Sequence, residues 1–128
     1  MNQMAAQSTK SNPVRDKSYA FALRITRAAY YLINQRKEYV LSKQLLRSGT
    51  SIGANIEEGT QAQSKKDFIA KFQISLKESY ENHFWIRLLR DAGFLEQKEA
   101  ASLLADIDEI IRLLTAILRT SKKNTVQK

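Results

Sequence analysis

Few residues in this 128-residue chain have the type and spacing to do chemistry. His83 is its only histidine. A carboxylate-bridged di-metal site in a helical protein needs two Glu-x-x-His pairs and further inward glutamates. Here Glu81 lies two residues before His83, off its helical face, and Glu78 lies five before it. One histidine cannot build that motif twice, so His83 is expected at the edge of the core, hydrogen-bonded or partly solvated. The chain has no cysteine, which excludes disulfides, thiol nucleophiles and thiolate metal sites. Gly49-Thr50-Ser51-Ile52-Gly53 matches Gly-x-Ser-x-Gly in letters, but it reads as the interior of a helix and not as the strand-to-helix turn of a nucleophile elbow. It also lacks the Lys-Ser/Thr that completes a phosphate-cradling loop. These absences point away from an enzyme, and the sequence nominates no catalytic residue, cofactor or metal ligand.

What remains is charge. The formal balance is 21 − 13 = +8. Lys10, Lys122, Lys123 and Lys128 sit on polar ends without acids, leaving 17 − 13 = +4 for residues 13–120. Candidate phosphate contacts are Lys17, Arg24 and Arg27 in the first predicted helix, Arg112 and Arg119 in the last, and Lys122 and Lys123 just after it. Arg112 and Arg119 are seven residues apart and share a helical face. Tyr30 and Tyr31 lie near Arg24 and Arg27, but a tyrosine stripe in a bundle is expected in the core rather than against a nucleic acid. The reading favours an oligomer that binds RNA or DNA with little sequence preference. Its alternative is a structural or adaptor ring that takes a protein partner, with the cations only solvating it. The lack of cysteine suits a reducing cytosol. No apolar run approaches the roughly 18 residues of a membrane span, and Met1 to Asn12 lacks the apolar core of a signal peptide. A cytoplasmic protein with no membrane partner is expected.

The elements that must position these residues read as helices. One proline and four glycines leave little material for the turns of a β fold. Residues 1–12 are polar and aperiodic and read as a flexible leader. Asn12-Pro13 is a good N-cap followed by a first-turn proline, opening a helix to about Arg36. Tyr19, Leu23, Thr26, Tyr30 and Ile33 form its expected main stripe, with Phe21, Ile25, Ala28 and Leu32 beside it. Ser42 is expected to cap a second helix running to about Gln61. Ser64 and Asp67 form a capping box for a third, lined by Phe68, Phe72, Leu76, Tyr80, His83 and Arg87 and ending at Gly93. A fourth runs from about Glu96 to Thr120, and residues 121–128 form a basic flexible tail. Long helices with short connections predict an all-α, antiparallel up-down-up-down four-helix bundle over residues 13–120.

Three of the four glycines fall in Arg47-Ser48-Gly49-Thr50-Ser51-Ile52-Gly53-Ala54-Asn55-Ile56-Glu57-Glu58-Gly59. A glycine inside a helix costs about 0.5–1 kcal/mol against alanine. Gly49 and Gly53 share a face, so both are expected where another helix comes close. Ser48, Ser51, Asn55 and Glu58 form a polar seam beside them. Alanine looks acceptable at Gly59. Helices one, three and four also carry more apolar side chains than one bundle core can bury, among them Trp85 and Leu88 and the doubled line Leu103, Ile110, Leu113 and Ile117. Exposed apolar patches mark interfaces, so a homo-oligomer is expected.

Taken together, these residues resemble the bacterial four-helix-bundle family named for the 23S rRNA intervening-sequence protein. The matching segments include Asn12-Pro13, Ser18-Tyr19-Ala20-Phe21-Ala22 and the run from Tyr39 to Glu58. Ser64 with Asp67-Phe68, Lys77-Glu78 and Trp85-Ile86-Arg87-Leu88-Leu89 add to them. The Arg47 to Glu58 run is the specific part. The resemblance implies a non-enzymatic bundle that assembles into a ring, typically a homopentamer. It also implies a distant likeness to the accessory protein of diversity-generating retroelements, a pentameric bundle that binds nucleic acid and a reverse transcriptase.

Overall fold

The computed structural model describes residues 12–126. The expected leader, but for Asn12, lies outside them, as do residues 127–128. Four helices and no strands make up the described chain: α1 (Pro13–Asn34), α2 (Leu41–Thr60), α3 (Lys65–Asp91) and α4 (Gln97–Val126). Each packs on the next and α4 closes on α1, while the backbones of the diagonal pairs stay farther apart. This is the antiparallel four-helix bundle. Its core includes Phe21, Ile25 and Leu32 of α1, Leu45, Ile52 and Ile56 of α2, Phe72, Ile86 and Leu89 of α3, and Leu103, Ile107, Ile110 and Leu114 of α4.

The helix starts show how short-range chemistry places the bundle. At α1 the Asn12 side chain accepts the Arg15 N–H, and at α3 Ser64 Oγ accepts the Asp67 N–H at 3.1 Å. At α2 the expected Ser42 cap is corrected. Ser42 lies inside the helix and donates its hydroxyl to the Glu38 carbonyl. The cap is Glu38, whose carboxylate accepts the N–H groups of Val40, Leu41 and Ser42. Burial works against that charge, but the three backbone donors outweigh it and hold the carboxyl below its ordinary range. Arg36 crosses to the other turn at this end and donates to the carbonyls of Gly93 and Phe94. Gly93 has φ +87, a conformation that glycine takes at a helix C-terminus without Cβ strain.

α1 reverses the expected order of its stripes. Phe21, Ile25, Ala28 and Leu32 are buried, together with Val14, Ser18 and Ala29. Tyr19 is 72% exposed and Tyr30 57%. A tyrosine hydroxyl needs a partner when buried, and the purely apolar line needs none. On α3 the inner face is Phe72, Ser75, Ser79, Asn82, Ile86 and Leu89, not the expected line through Tyr80 and Arg87. α4 continues as helix to Val126, six residues beyond the expected end.

α2 approaches its neighbours closely through its glycines. A Cβ on Gly49 would lie 2.6 Å from Ile25 Cγ2 and 3.0 Å from Asn82 Nδ2, so α1 and α3 both close on this backbone. Gly53 is half-buried, and its Cβ would meet the Ser18 carbonyl at an ordinary 3.4 Å. Gly59 corrects the expectation that alanine fits, because its Cβ would lie 2.6 Å from the buried Phe72 ring.

Two outcomes follow from this packing. Gly49→Ala is expected to destabilise by about 1–2 kcal/mol net, overpacking outweighing the gain in helix propensity, while Gly53→Ala is neutral or stabilising by up to about 1 kcal/mol. Urea midpoints decide it, and a Gly49→Ala protein as stable as the parent counts against the contact. The Glu38 cap predicts an acid dependence. A depressed folded pKa contributes stability above the unfolded value, about 4.3, and that stability is lost as pH falls through the lower folded value. Between pH 7 and about pH 3 the parent is expected to lose more stability than Glu38→Gln, measured by the same midpoints.

Candidate nucleic-acid interface

α4 is divided by charge. Residues 97–109 carry one cation, Lys98, and four acids, Glu99, Asp106, Asp108 and Glu109. From residue 110 to the end of the chain there is no acid, while Arg112, Arg119, Lys122 and Lys123 fall on the helix.

The acidic half is matched by its neighbours. Lys17 pairs with Glu109 at 3.2 Å. Arg24 pairs with Asp106 at 2.6 Å and with Glu99 at 3.4 Å. His83 Nε2 lies 3.3 Å from Asp108 Oδ1, and its Nδ1 accepts the Arg87 Nε–H. Lys17 and Arg24 thus spend their charge on the α1/α4 seam, where half-exposed pairs of this kind contribute at most about 1 kcal/mol each. They help set how α4 sits on α1 and are poor phosphate contacts.

The basic half has no such match. Arg15, Arg24, Arg36, Arg47, Arg87 and Arg90 each bond another group. Arg112 and Arg119 are exposed and bond none among the described residues. Lys122 Nζ donates to Gln73 Oε1 at 2.7 Å, a neutral partner that leaves its charge uncompensated. Lys123 is exposed beside it. Arg27 is also without a partner, but it stands apart on α1, lining a hollow with Ala28, Tyr31, Leu95, Glu96 and Glu99. Of the seven cations nominated by the sequence, the structure brings four together on the C-terminal half of α4 and separates the three on α1.

The glycine-flanking polar line divides as well. Ser48 is buried and accepts from Asn82 Nδ2 at 3.0 Å, which also donates to the Leu45 carbonyl. Asn55 donates to the Ser51 carbonyl within its own helix, and Glu58 pairs with Lys71 at the surface. These contacts are internal to the protomer. The other half of the true seam lies on α3, where Ser75 donates to the Ile52 carbonyl and Ser79 to the Ser75 carbonyl. The four-three spacing of Ser75, Ser79 and Asn82 is the signal that marks it. Farther out, Glu81 is held below its ordinary pKa first by the Trp85 indole N–H and then, against some burial, by Arg47.

Among the described residues no cluster of acids and histidine is arranged to hold a metal ion, and no helix is long and apolar enough to cross a membrane. Fold and surface together define the class: an antiparallel four-helix bundle with one strongly basic flank. The chain belongs to the 23S rRNA-intervening sequence protein family, whose model matches residues 10–116. It is also similar to a solved structure, a protein of unknown function from the S23 ribosomal protein family of Bacteroides thetaiotaomicron. That likeness has a TM-score of 0.81 and 48% identity, and it covers 82% of this chain and 97% of the other. No curated protein matches the chain.

Proposed function

We propose that this protein is a non-enzymatic, oligomeric four-helix bundle that binds nucleic acid with little sequence preference. The observation that carries the reading is the acid-free, unmatched cation stripe on α4. Cations in the last turn of a helix also favour its macrodipole, but that effect fades beyond one turn. Arg112 and Arg119 lie outside the last turn of a helix that ends at Val126. No described partner accounts for them, and they stand on one face as a polyanion requires. The family description refers to 23S rRNA, which makes RNA the first probe.

Fluorescence anisotropy with labelled RNA at about 50 mM salt tests this, since electrostatic binding is strongest there. Arg112→Gln with Arg119→Gln is expected to weaken binding and to flatten the log–log salt dependence by roughly 0.7–0.9 per lost phosphate contact. Lys17→Gln with Arg24→Gln is expected to leave that slope unchanged. If neither RNA nor DNA binds at low salt, the protein-adaptor reading takes its place.

Self-association is supported by apolar side chains that the bundle leaves outside. Tyr19, Leu23 and Tyr30 stand exposed on α1, and Ile74 and Leu88 on α3. Unlike faces on one protomer suit a head-to-tail contact, which closes into a ring when the rotation permits. The count of five rests on the family resemblance. Light scattering is expected to give a multiple of 14.7 kDa, and Leu23→Glu to lower it. A parent protein at the mass of a single chain defeats the claim.

A further inference from the structure

We infer that the nucleic acid this surface takes is single-stranded, with unpaired bases stacking on Tyr80 and Phe84 while phosphates follow Arg112, Arg119 and Lys123. The inference rests on the nucleic-acid reading above and adds the class of ligand and the residues that select it.

The register of α3 against α4 is pinned at two places. One is the His83–Asp108 contact and the other the Gln73–Lys122 hydrogen bond. Between them Tyr80 lies three residues before His83, and Arg112 lies four after Asp108. In antiparallel helices both steps run one turn toward the Ser64 end, so Tyr80 and Arg112 stand level. Tyr80 is also seven residues from Gln73 and shares its helical face, the one that reaches α4. Arg112, Arg119 and Lys123, at spacings of seven and four, continue as a line about 16 Å long.

The aromatic side chains beside this line are open to solvent. Tyr80 is 57% exposed and Phe84 46%. Phe84 has no polar atom, so its exposure is not explained by a hydroxyl reaching water. Trp85 backs it edge-on at 5.0 Å between ring centroids, and the Arg87 guanidinium lies 5.8 Å from its centroid. Asp108 faces His83 and Glu109 pairs with Lys17, so of these acids of α4 only Asp108, one turn before Arg112, lacks a permanently charged partner. Cations beside open aromatic faces are what sequence-tolerant single-strand recognition uses: charge follows the backbone and rings receive the bases. A duplex offers its phosphates to the same cations but keeps its bases stacked on one another, so the rings reward only unpaired bases.

The test compares one labelled RNA sequence, single-stranded and annealed to its complement, against the full chain by anisotropy at fixed salt. The parent is expected to prefer the single strand by about tenfold or more. Tyr80→Leu with Phe84→Leu keeps apolar bulk and removes both rings. It is expected to erase that preference while leaving duplex affinity within about twofold, with helix content checked by circular dichroism. Arg112→Gln with Arg119→Gln is expected to weaken both forms. Trp85, the only tryptophan, gives a second readout: its emission is expected to change on adding the single strand and not the duplex, because Phe84 lies against it. Equal affinity of the parent for both forms overturns the inference and leaves nucleic-acid binding standing. So does a leucine variant that keeps its preference, or one whose only change is a lower mass in light scattering, which assigns the rings to self-association. Absence of binding to either form removes the nucleic-acid reading itself.

Discussion

The bundle depends on how closely α2 can be approached. At Gly49 the methyl groups of Ile25 from α1 and the amide of Asn82 from α3 press onto the same stretch of backbone, in a space that admits no Cβ. A helix with side chains all round would hold both neighbours farther away, and the buried bonds from Asn82 to Ser48 and the Leu45 carbonyl would lengthen with that gap. Burying a polar group costs less when it is bonded; Asn82 Nδ2 is bonded, while Asn82 Oδ1 and Ser51 Oγ have no hydrogen-bond partner among the described residues. The glycine and the polar seam are therefore one device: the bare backbone sets the distance, and the short polar side chains of α3 use it. Ser75, reaching the Ile52 carbonyl, repeats the arrangement two turns along.

With α1, α2 and α3 joined in this way, α4 closes the bundle by other means. Its apolar line packs inward, but its hold on α1 at the surface is ionic, through Lys17 and Arg24. Such pairs add little stability, yet their spacing favours one register. This division of labour leaves Arg112 and Arg119, in the C-terminal half of α4, without a bonded partner among the described residues. Charge that does no structural work inside a fold is available for something outside it, which is why the basic stripe and not the larger total charge carries the functional reading.

The fold was legible in the sequence because its punctuation is strong: Asn12-Pro13, Ser64 with Asp67, and Gly93 all act where local chemistry expects. The close contact at Gly49 was legible for the same reason, since a glycine in an otherwise good helix asks for one. Which stripe of α1 faces inward was not. Tyr19, Leu23 and Tyr30 have the spacing of a core line, and periodicity alone does not rank two adjacent apolar stripes. Burial of Ser75, Ser79 and Asn82 was hidden because polar side chains read as solvent-facing until a bare backbone opposite makes room for them. The candidate site was half legible. Arg112 and Arg119 were visible as a pair, whereas the neutralisation of Lys17 and Arg24 depends on acids about 75 to 92 residues away in the chain, beyond any local pattern.

The two ends of the bundle are secured differently. At one end Arg36 ties the α1–α2 turn to the α3–α4 turn, and Glu38 holds three amides of the first turn of α2. At the other, the turn from Gln61 to Ser64 is closed by short-range bonds and by exposed pairs, Lys71 with Glu58 and Arg15 with Glu57. Local opening draws on the least-tied segments first. Amide hydrogens around Ser64 are expected to exchange sooner than those beside the Arg36 tie.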